Sequence, residues 1–196
     1  DWFTPEAIND TAYTQYIDEP GYFFFLGNTD PKKNTEGTLI AYSNYLKEST
    51  VKRPLLVADL DRNRANKIIA QHHLDNIADH IILPGYINNV HLPSIYAHAY
   101  TFIYTSYRES FGIPLLEAMA SGTPVITSNT SSMPEIAAEA ALFSNPHDPK
   151  TITEAMIRIE REKTLHQKLS DAGKQRAQHF SWTNTAQQLL QLYESI

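Results

Sequence analysis

Six short runs rich in β-branched, aromatic and aliphatic residues, near 22–27 (YFFFLG), 54–60 (PLLVADL), 81–85 (IILPG), 101–106 (TFIYTS), 124–128 (PVITS) and 141–143, alternate with stretches of helical character. The predicted helices fall near 34–48, 63–74, 91–99, 114–121, 149–163 and 166–178, with a last one at 182–195. This alternation constrains the fold more than any other property of the chain. Strands joined through helices run parallel to one another, and a parallel sheet buries both faces under those helices. The expected class is therefore α/β, a doubly wound parallel sheet of about six strands with helices on both faces. Helix starts carry suitable caps: Asn34 before TEGTLIAY, Asn63 before RANKII, Asp148-Pro149 before KTITEAM, and Ser181 before WTNTAQQLL.

In such sheets ligands collect outside the carboxyl ends of the strands, so the turns there hold the chemistry. The most informative spans residues 107–127, YRESFGIPLLEAMASGTPVIT. It reads as a strand end, a turn, a short helix with Pro114 in its first turn and Gly122 just past its end, then another strand. The turn from Glu109 to Gly112 faces a helix N-terminus, where unpaired N–H groups and the helix dipole favour an anion such as phosphate. Gly112 permits close backbone approach, and Ser110, Phe111 and Ile113 flank it. The Glu109 carboxylate cannot attract phosphate and suits sugar hydroxyls instead. Glu117, eight positions on, is placed to hold a second diol such as a ribose.

Two other turns belong to the same edge. After the first strand, LGNTDPKKN puts Gly27 and Asn28 at the strand end and Lys32-Lys33 at a helix start, so Lys33 can offer a cation to an anion seated there. After the third strand, LPGYINN places Gly85, Tyr86 and Ile87 where backbone groups and apolar side chains could receive a flat ligand.

Spacing of two glutamates alone means little, but the run ESFGIPLLEAMASGTPVITSNTSSMPEI is dense in shared features. It resembles the glutamate, seven residues, glutamate motif of retaining glycosyltransferases, particularly family 4 of the GT-B class, through Glu109, Phe111, Gly112, the LEAMA helix with Glu117, Gly122, the PVI strand and Pro134-Glu135. The resemblance implies one Rossmann-like half of a two-domain GT-B enzyme, the C-terminal donor domain, over residues 21–196, with residues 1–20 the remnant of an interdomain linker. It also implies transfer of a hexose from a nucleoside-diphosphate sugar, with retention, to a saccharide or lipid-linked acceptor. Glu109 and Lys33 would be the catalytic pair. Gly27, Asn28, Lys33, Gly85, Tyr86, Ile87, Glu109, Ser110, Phe111, Gly112, Ile113 and Glu117 would bind the donor, with Glu117 on the ribose and the Gly85–Ile87 turn on the base. Asn28 stands where many members carry an arginine. The acceptor site would belong to a missing N-terminal domain, and this chain alone should bind donor and transfer little. The Pro31–Asn34 turn is similar to turns in mannosyltransferases of bacterial surface polysaccharide synthesis, making GDP-mannose the first donor to test. A donor-binding or regulatory module without chemistry of its own is the alternative.

The remaining features are weaker. Asp59 and Asp61 have the spacing of a divalent-cation pair, but a GT-B resemblance implies no metal, and capping of the next turn is the simpler role. His72 and His73 diverge on a helix, and His91 and His98 lack a third ligand nearby. No G-x-G-x-x-G follows the first strand, which argues against a nicotinamide dinucleotide. A net charge of −6 disfavours a nucleic-acid surface, and the absence of cysteine excludes disulfides. No apolar run approaches the roughly 18 residues of a membrane span. The expected setting is cytoplasmic, with the full-length enzyme at the inner face of the membrane.

Overall fold

The computed structural model describes residues 11–195. Six strands, β1 (Tyr22–Leu26), β2 (Leu55–Ala58), β3 (Ile81–Gly85), β4 (Ala99–Tyr104), β5 (Val125–Ser128) and β6 (Ala141–Ser144), form one sheet. Their order is β3-β2-β1-β4-β5-β6 and every pairing is parallel. Among the described residues eight α-helices accompany them: α1 (Thr35–Glu48), α2 (Arg62–His72), α3 (Leu92–His98), α4 (Ile113–Ala120), α5 (Met133–Ala137), α6 (Pro149–Arg161), α7 (Lys163–Ala177) and α8 (Trp182–Glu194). The strand order reverses direction between β1 and β4. That switch point opens a crevice at the carboxyl edge, flanked by the turns after those two strands.

Strand β1 runs through the middle of both cores. Side chains alternate across a strand, so Phe23 and Phe25 point to one face, against Leu39, Tyr42 and Tyr45 of α1 and Met156 of α6. Phe24 points to the other, with Tyr96 of α3, Phe102 of β4, and Leu115 and Met119 of α4. Buried on both faces, the strand reads as an unbroken aromatic run rather than an alternating one. Buried tyrosines spend their hydroxyls on partners. Tyr22 donates to the Ile95 carbonyl at 2.7 Å and Tyr42 to that of Arg53 at 2.8 Å. The Tyr45 hydroxyl donates to Glu160, and burial with that carboxylate pushes its phenol up to about 12.

Local departures from the expected boundaries have local causes. Strand β2 stops at Ala58 because Asp59 takes a left-handed backbone, φ 60°. Helix α2 then begins at Arg62, capped by Asp61, whose carboxylate accepts from the Arg64 N–H at 2.9 Å; Asn63 is inside the helix and is not the cap. Asp148 and Ser181 cap α6 and α8 as expected. Asn34 sits at the start of α1 but makes no side-chain cap. Its amide donates to the carbonyls of Thr105, at 3.0 Å, and Pro146, at 2.8 Å, tying the β1 turn to distant chain. The five-residue α5 was not anticipated.

Of the expected linker, residues 1–10 lie outside the described residues. Within the remainder, Ala12–Gln15 forms a 3-10 turn that docks on α3: the Tyr13 N–H donates to Ser94 Oγ at 3.1 Å and its ring stacks on His98. No helix among the described residues is long and apolar enough to cross a membrane.

Candidate functional site

The turns after β1 and β4 are stitched together across the switch point. The Tyr107 N–H donates to the Lys32 carbonyl at 2.8 Å, and the Asn34 amide reaches Thr105 from below. Above them Lys33 Nζ and Glu109 Oε1 form an ion pair of 2.7 Å. Both side chains are largely covered, at 17% and 12% exposure, so the pair is better shielded than an ordinary surface contact. Two of the residues selected from sequence, 76 positions apart, thus meet directly.

Four further residues hold this pair and its turn. Ser106 Oγ donates to Glu109 Oε1 at 2.9 Å, and the Tyr104 hydroxyl lies 3.5 Å from Lys33 Nζ. Ser131 exchanges hydrogen bonds with the Glu109 backbone, accepting from its N–H at 3.1 Å and donating to its carbonyl at 2.8 Å. Ser132 donates to the Phe111 carbonyl at 2.8 Å. Burial alone would raise the Glu109 carboxyl, but the bonds from Lys33 and Ser106 and the lysine's charge outweigh it and leave it below the usual carboxylate range. Glu109 is accordingly ionised at neutral pH, a hydrogen-bond acceptor for Lys33 and Ser106.

Gly112 occupies the N-cap position of α4 with φ 114°, a conformation costly to any side chain, and an added Cβ would meet Met133 Cε at 3.3 Å. No side chain caps this helix, so its first turn presents backbone to the crevice. Phe111 and Ile113 are exposed beside it, as is Ser110. One turn inside α4, Glu117 accepts from the Tyr96 hydroxyl at 3.2 Å. Burial raises its carboxyl, and the tyrosine offsets only part of that rise.

Not every residue expected to face a ligand does so with its side chain. Ile87 is 3% exposed and packs with Leu92 and Ile95, leaving only its backbone to offer. Its neighbour Tyr86 is 70% exposed, and Gly85, at φ 76°, has open space where a side chain would be. Asn28 spends its carboxamide oxygen on the Asp30 N–H at 2.8 Å, organising the turn, while its carbonyl accepts from Thr35 Oγ1. Gly27 is buried, and a Cβ there would meet the Phe25 ring at 2.8 Å and Val57 at 2.9 Å; packing explains this glycine.

A hollow of about 200 Å³ opens beside this turn, walled by Asn28, Asp30, Asn34, Arg64 and Tyr107. A larger one, about 480 Å³, lies at the opposite, amino edge among Arg53, Tyr100, Glu160 and His166. Three of its polar side chains are engaged with its own walls. Arg53 pairs with Glu160 at 3.4 Å and stacks on Tyr100, and His166 bonds the Tyr100 carbonyl. Among the described residues no group of three or more His, Cys, Asp or Glu is placed to hold a metal ion. His91 is bonded to the Tyr16 hydroxyl and His98 to the Ser94 carbonyl.

Sequence reasoning missed Tyr104, Ser106, Tyr96 and the Ser131-Ser132 pair. Ser106 was within reach, since it lies three residues before Glu109; the others come from separate elements with no local pattern to mark them.

Comparison with known proteins bears on the family and the fold. Residues 12–176 match the model of the family described as glycosyl transferases group 1. The chain is 31% identical over 174 residues to O-antigen chain mannosyltransferase B of Escherichia coli, an alignment covering 89% of this chain and 46% of that protein. It thus spans about half the length of that relative. Among solved structures it is similar to the C-terminal domain of a glycosyl transferase group 1 family protein, LpcC, from Francisella tularensis, with TM-score 0.73 at 22% identity, covering 90% of this chain and 94% of that one. It also superposes on Anabaena HepE in complex with UDP, with TM-score 0.80 at 14% identity, covering 98% of this chain and 54% of that one. The fold is thereby that of one Rossmann-like half of a GT-B enzyme, and the chain belongs to the glycosyl transferases group 1 family.

Proposed function

We propose that this chain is the donor-binding, C-terminal half of a retaining glycosyltransferase of family 4, which takes a hexose from a nucleoside-diphosphate sugar. The observation that carries the reading is the Lys33–Glu109 pair at the switch point, a cation and a hydroxyl-accepting carboxylate side by side against the open N-terminus of α4. A diphosphate and a sugar need those two groups in that order. The relatives, an O-antigen mannosyltransferase and a UDP-bound structural neighbour, support a nucleotide sugar and make mannose the first sugar to test.

In this mechanism the diphosphate lies along the strand ends, with Lys33 and the backbone N–H groups near Phe111 to Ile113 taking up negative charge as the bond from the anomeric carbon to phosphate breaks. The acceptor hydroxyl oxygen bonds the anomeric carbon on the face the phosphate leaves, and its proton passes to the departing phosphate oxygen. Glu109 holds donor-sugar hydroxyls and Glu117 the ribose. Neither glutamate acts as a nucleophile. No metal enters, and the acceptor is held by a partner domain outside this chain.

Calorimetric titration with GDP, UDP and ADP, then with their sugars, tests the reading. Lys33→Ala should weaken every diphosphate about tenfold, the loss of one charge-assisted hydrogen bond. Glu109→Ala should spare the free nucleotides and weaken only sugar-bearing ligands. Absence of binding by all nucleoside diphosphates at millimolar concentration would sink the donor-site reading, and equal effects of the two substitutions on both ligand kinds would contradict the assigned roles.

A further inference from the structure

Asn34 follows Lys33 directly and takes the left-handed backbone, φ 56°, that joins the β1 turn to α1. Glycine is the default residue in that region, so the backbone alone does not call for a side chain here. The side chain present is buried and makes two long-range hydrogen bonds, Nδ2 donating to the carbonyls of Thr105 at 3.0 Å and Pro146 at 2.8 Å. Thr105 follows β4 and precedes Ser106, the donor to Glu109, while Pro146 lies just beyond β6. One carboxamide thus fastens the exits of three strands, β1, β4 and β6. Thr38 adds a second strap: its hydroxyl donates to the Asn34 carbonyl at 2.9 Å and meets the Thr105 hydroxyl at 2.7 Å.

Two local rules are broken to keep this arrangement. Asn34 Oδ1 is buried and has no hydrogen-bond partner among the described residues, which leaves its desolvation uncompensated. Gly37 is buried inside α1, where alanine would favour the helix, but a Cβ there would fall on the Asn34 carboxamide oxygen. The room that the carboxamide needs explains this glycine. Such departures from local preference gather at functional sites, and this one adjoins the Lys33–Glu109 pair.

We propose that Asn34 is a positioning residue: by pinning the turn after β1 to the chain leaving β4, it holds Lys33 against Glu109. Lys33 is the next residue on one side of the brace, and Ser106, which donates to Glu109, is the next residue on the other. Without the two amide bonds those neighbours are free to move apart, and the 2.7 Å ion pair is the contact that loosens. For the purpose of the pair the proposal rests on the donor-site reading; for its geometry it rests on these hydrogen bonds alone.

The test is a carbon-13 NMR titration of the Glu109 side-chain carboxyl in the unliganded chain. The side chains that face this carboxylate are Lys33, Ser106 and Tyr104. Asn34→Gly suits the left-handed backbone and removes the carboxamide. Gly37→Ala keeps the asparagine, favours the helix and displaces the carboxamide, and it carries the test should the first variant not fold. In each, the Glu109 carboxyl should titrate at higher pH than in the unsubstituted chain, because the lysine that favours its charged form is no longer held beside it. Asp61→Ala, which removes the α2 cap, is the control for a general loss of stability and should leave the titration unmoved. GDP and UDP should bind the Asn34 and Gly37 variants about threefold more weakly, a smaller loss than removal of Lys33 itself. An unmoved Glu109 titration in either folded variant, or an equal move in Asp61→Ala, would overturn the proposal and leave the donor site standing. Failure of the nucleotides to bind the unsubstituted chain would remove the donor site alone, since the titration needs no ligand.

Discussion

The two glutamates of the site are held in opposite electrostatic states, and their substitutions should separate cleanly. Glu109 is buried beside a lysine and its folded pKa is lowered, so its contribution to stability is fully present above the ordinary carboxylate range and is lost as pH falls through the folded value. Removing it as Glu109→Gln should lower the thermal midpoint at neutral pH and flatten the loss of stability on acidification, measured by thermal unfolding from pH 7 to pH 3. Glu117 is the reverse. Burial raises its folded pKa, so its protonated form is favoured by the fold, and that stabilisation is lost as pH rises through the folded value. At neutral pH its charge opposes folding. Glu117→Gln should therefore raise the midpoint of the unliganded chain while weakening nucleoside diphosphate binding; a lowered midpoint would contradict the charge argument, and unchanged binding would contradict a ligand-facing role. A residue that costs stability and is kept for binding is a common trade at functional sites.

Among the elements, α4 and α2 differ in how they begin. Helix α4 starts at a glycine in a left-handed conformation with Met133 close by, so Gly112→Ala should cost about 1–3 kcal/mol in a urea titration and disturb the turn that carries Glu109. Helix α2 starts at a true side-chain cap, and Asp61→Ala should cost about 1 kcal/mol with nucleotide affinity unchanged, because that carboxylate is spent on Arg64. The capping signals at Asp148 and Ser181 were legible because a cap and its helix are neighbours in the chain. Asn34 misled for the same reason. It has the identity of a cap, but its amide is drawn to the carbonyls of Thr105 and Pro146, partners 71 and 112 positions away that no local reading could supply.

For the molecule as a whole, the sheet's centre and its last helix mark the extremes of burial. Phe24 packs between Tyr96 and Phe102 with no exposure, and Phe24→Ala should cost about 3–5 kcal/mol, enough to threaten a domain of ordinary stability. Helix α8 buries none of its residues, leaving Trp182, Leu190 and Tyr193 exposed. Deleting residues 182–196 should leave the urea midpoint of this chain nearly unchanged, and a large loss would mean that α8 packs more firmly than its exposure indicates.

The alternation of apolar runs and helical stretches was enough to require a parallel, doubly wound sheet, because strand period and crossover geometry are properties of neighbouring residues. The same locality made YRESFGIPLLEAMASGTPVIT readable as a strand end, a glycine turn and a short helix with proline in its first turn. Which groups actually meet was decided only by the strand order. Placing β1 against β4 brings Lys33 to 2.7 Å from Glu109 and surrounds the pair with Tyr104, Ser106 and, through the turn after β5, Ser131 and Ser132. Packing likewise turned Ile87 inward and left Tyr86 out, a choice made by the core behind the turn rather than by the residues within it. Chemistry at a switch point is assembled from the ends of separate strands, and only the folded sheet puts those ends side by side.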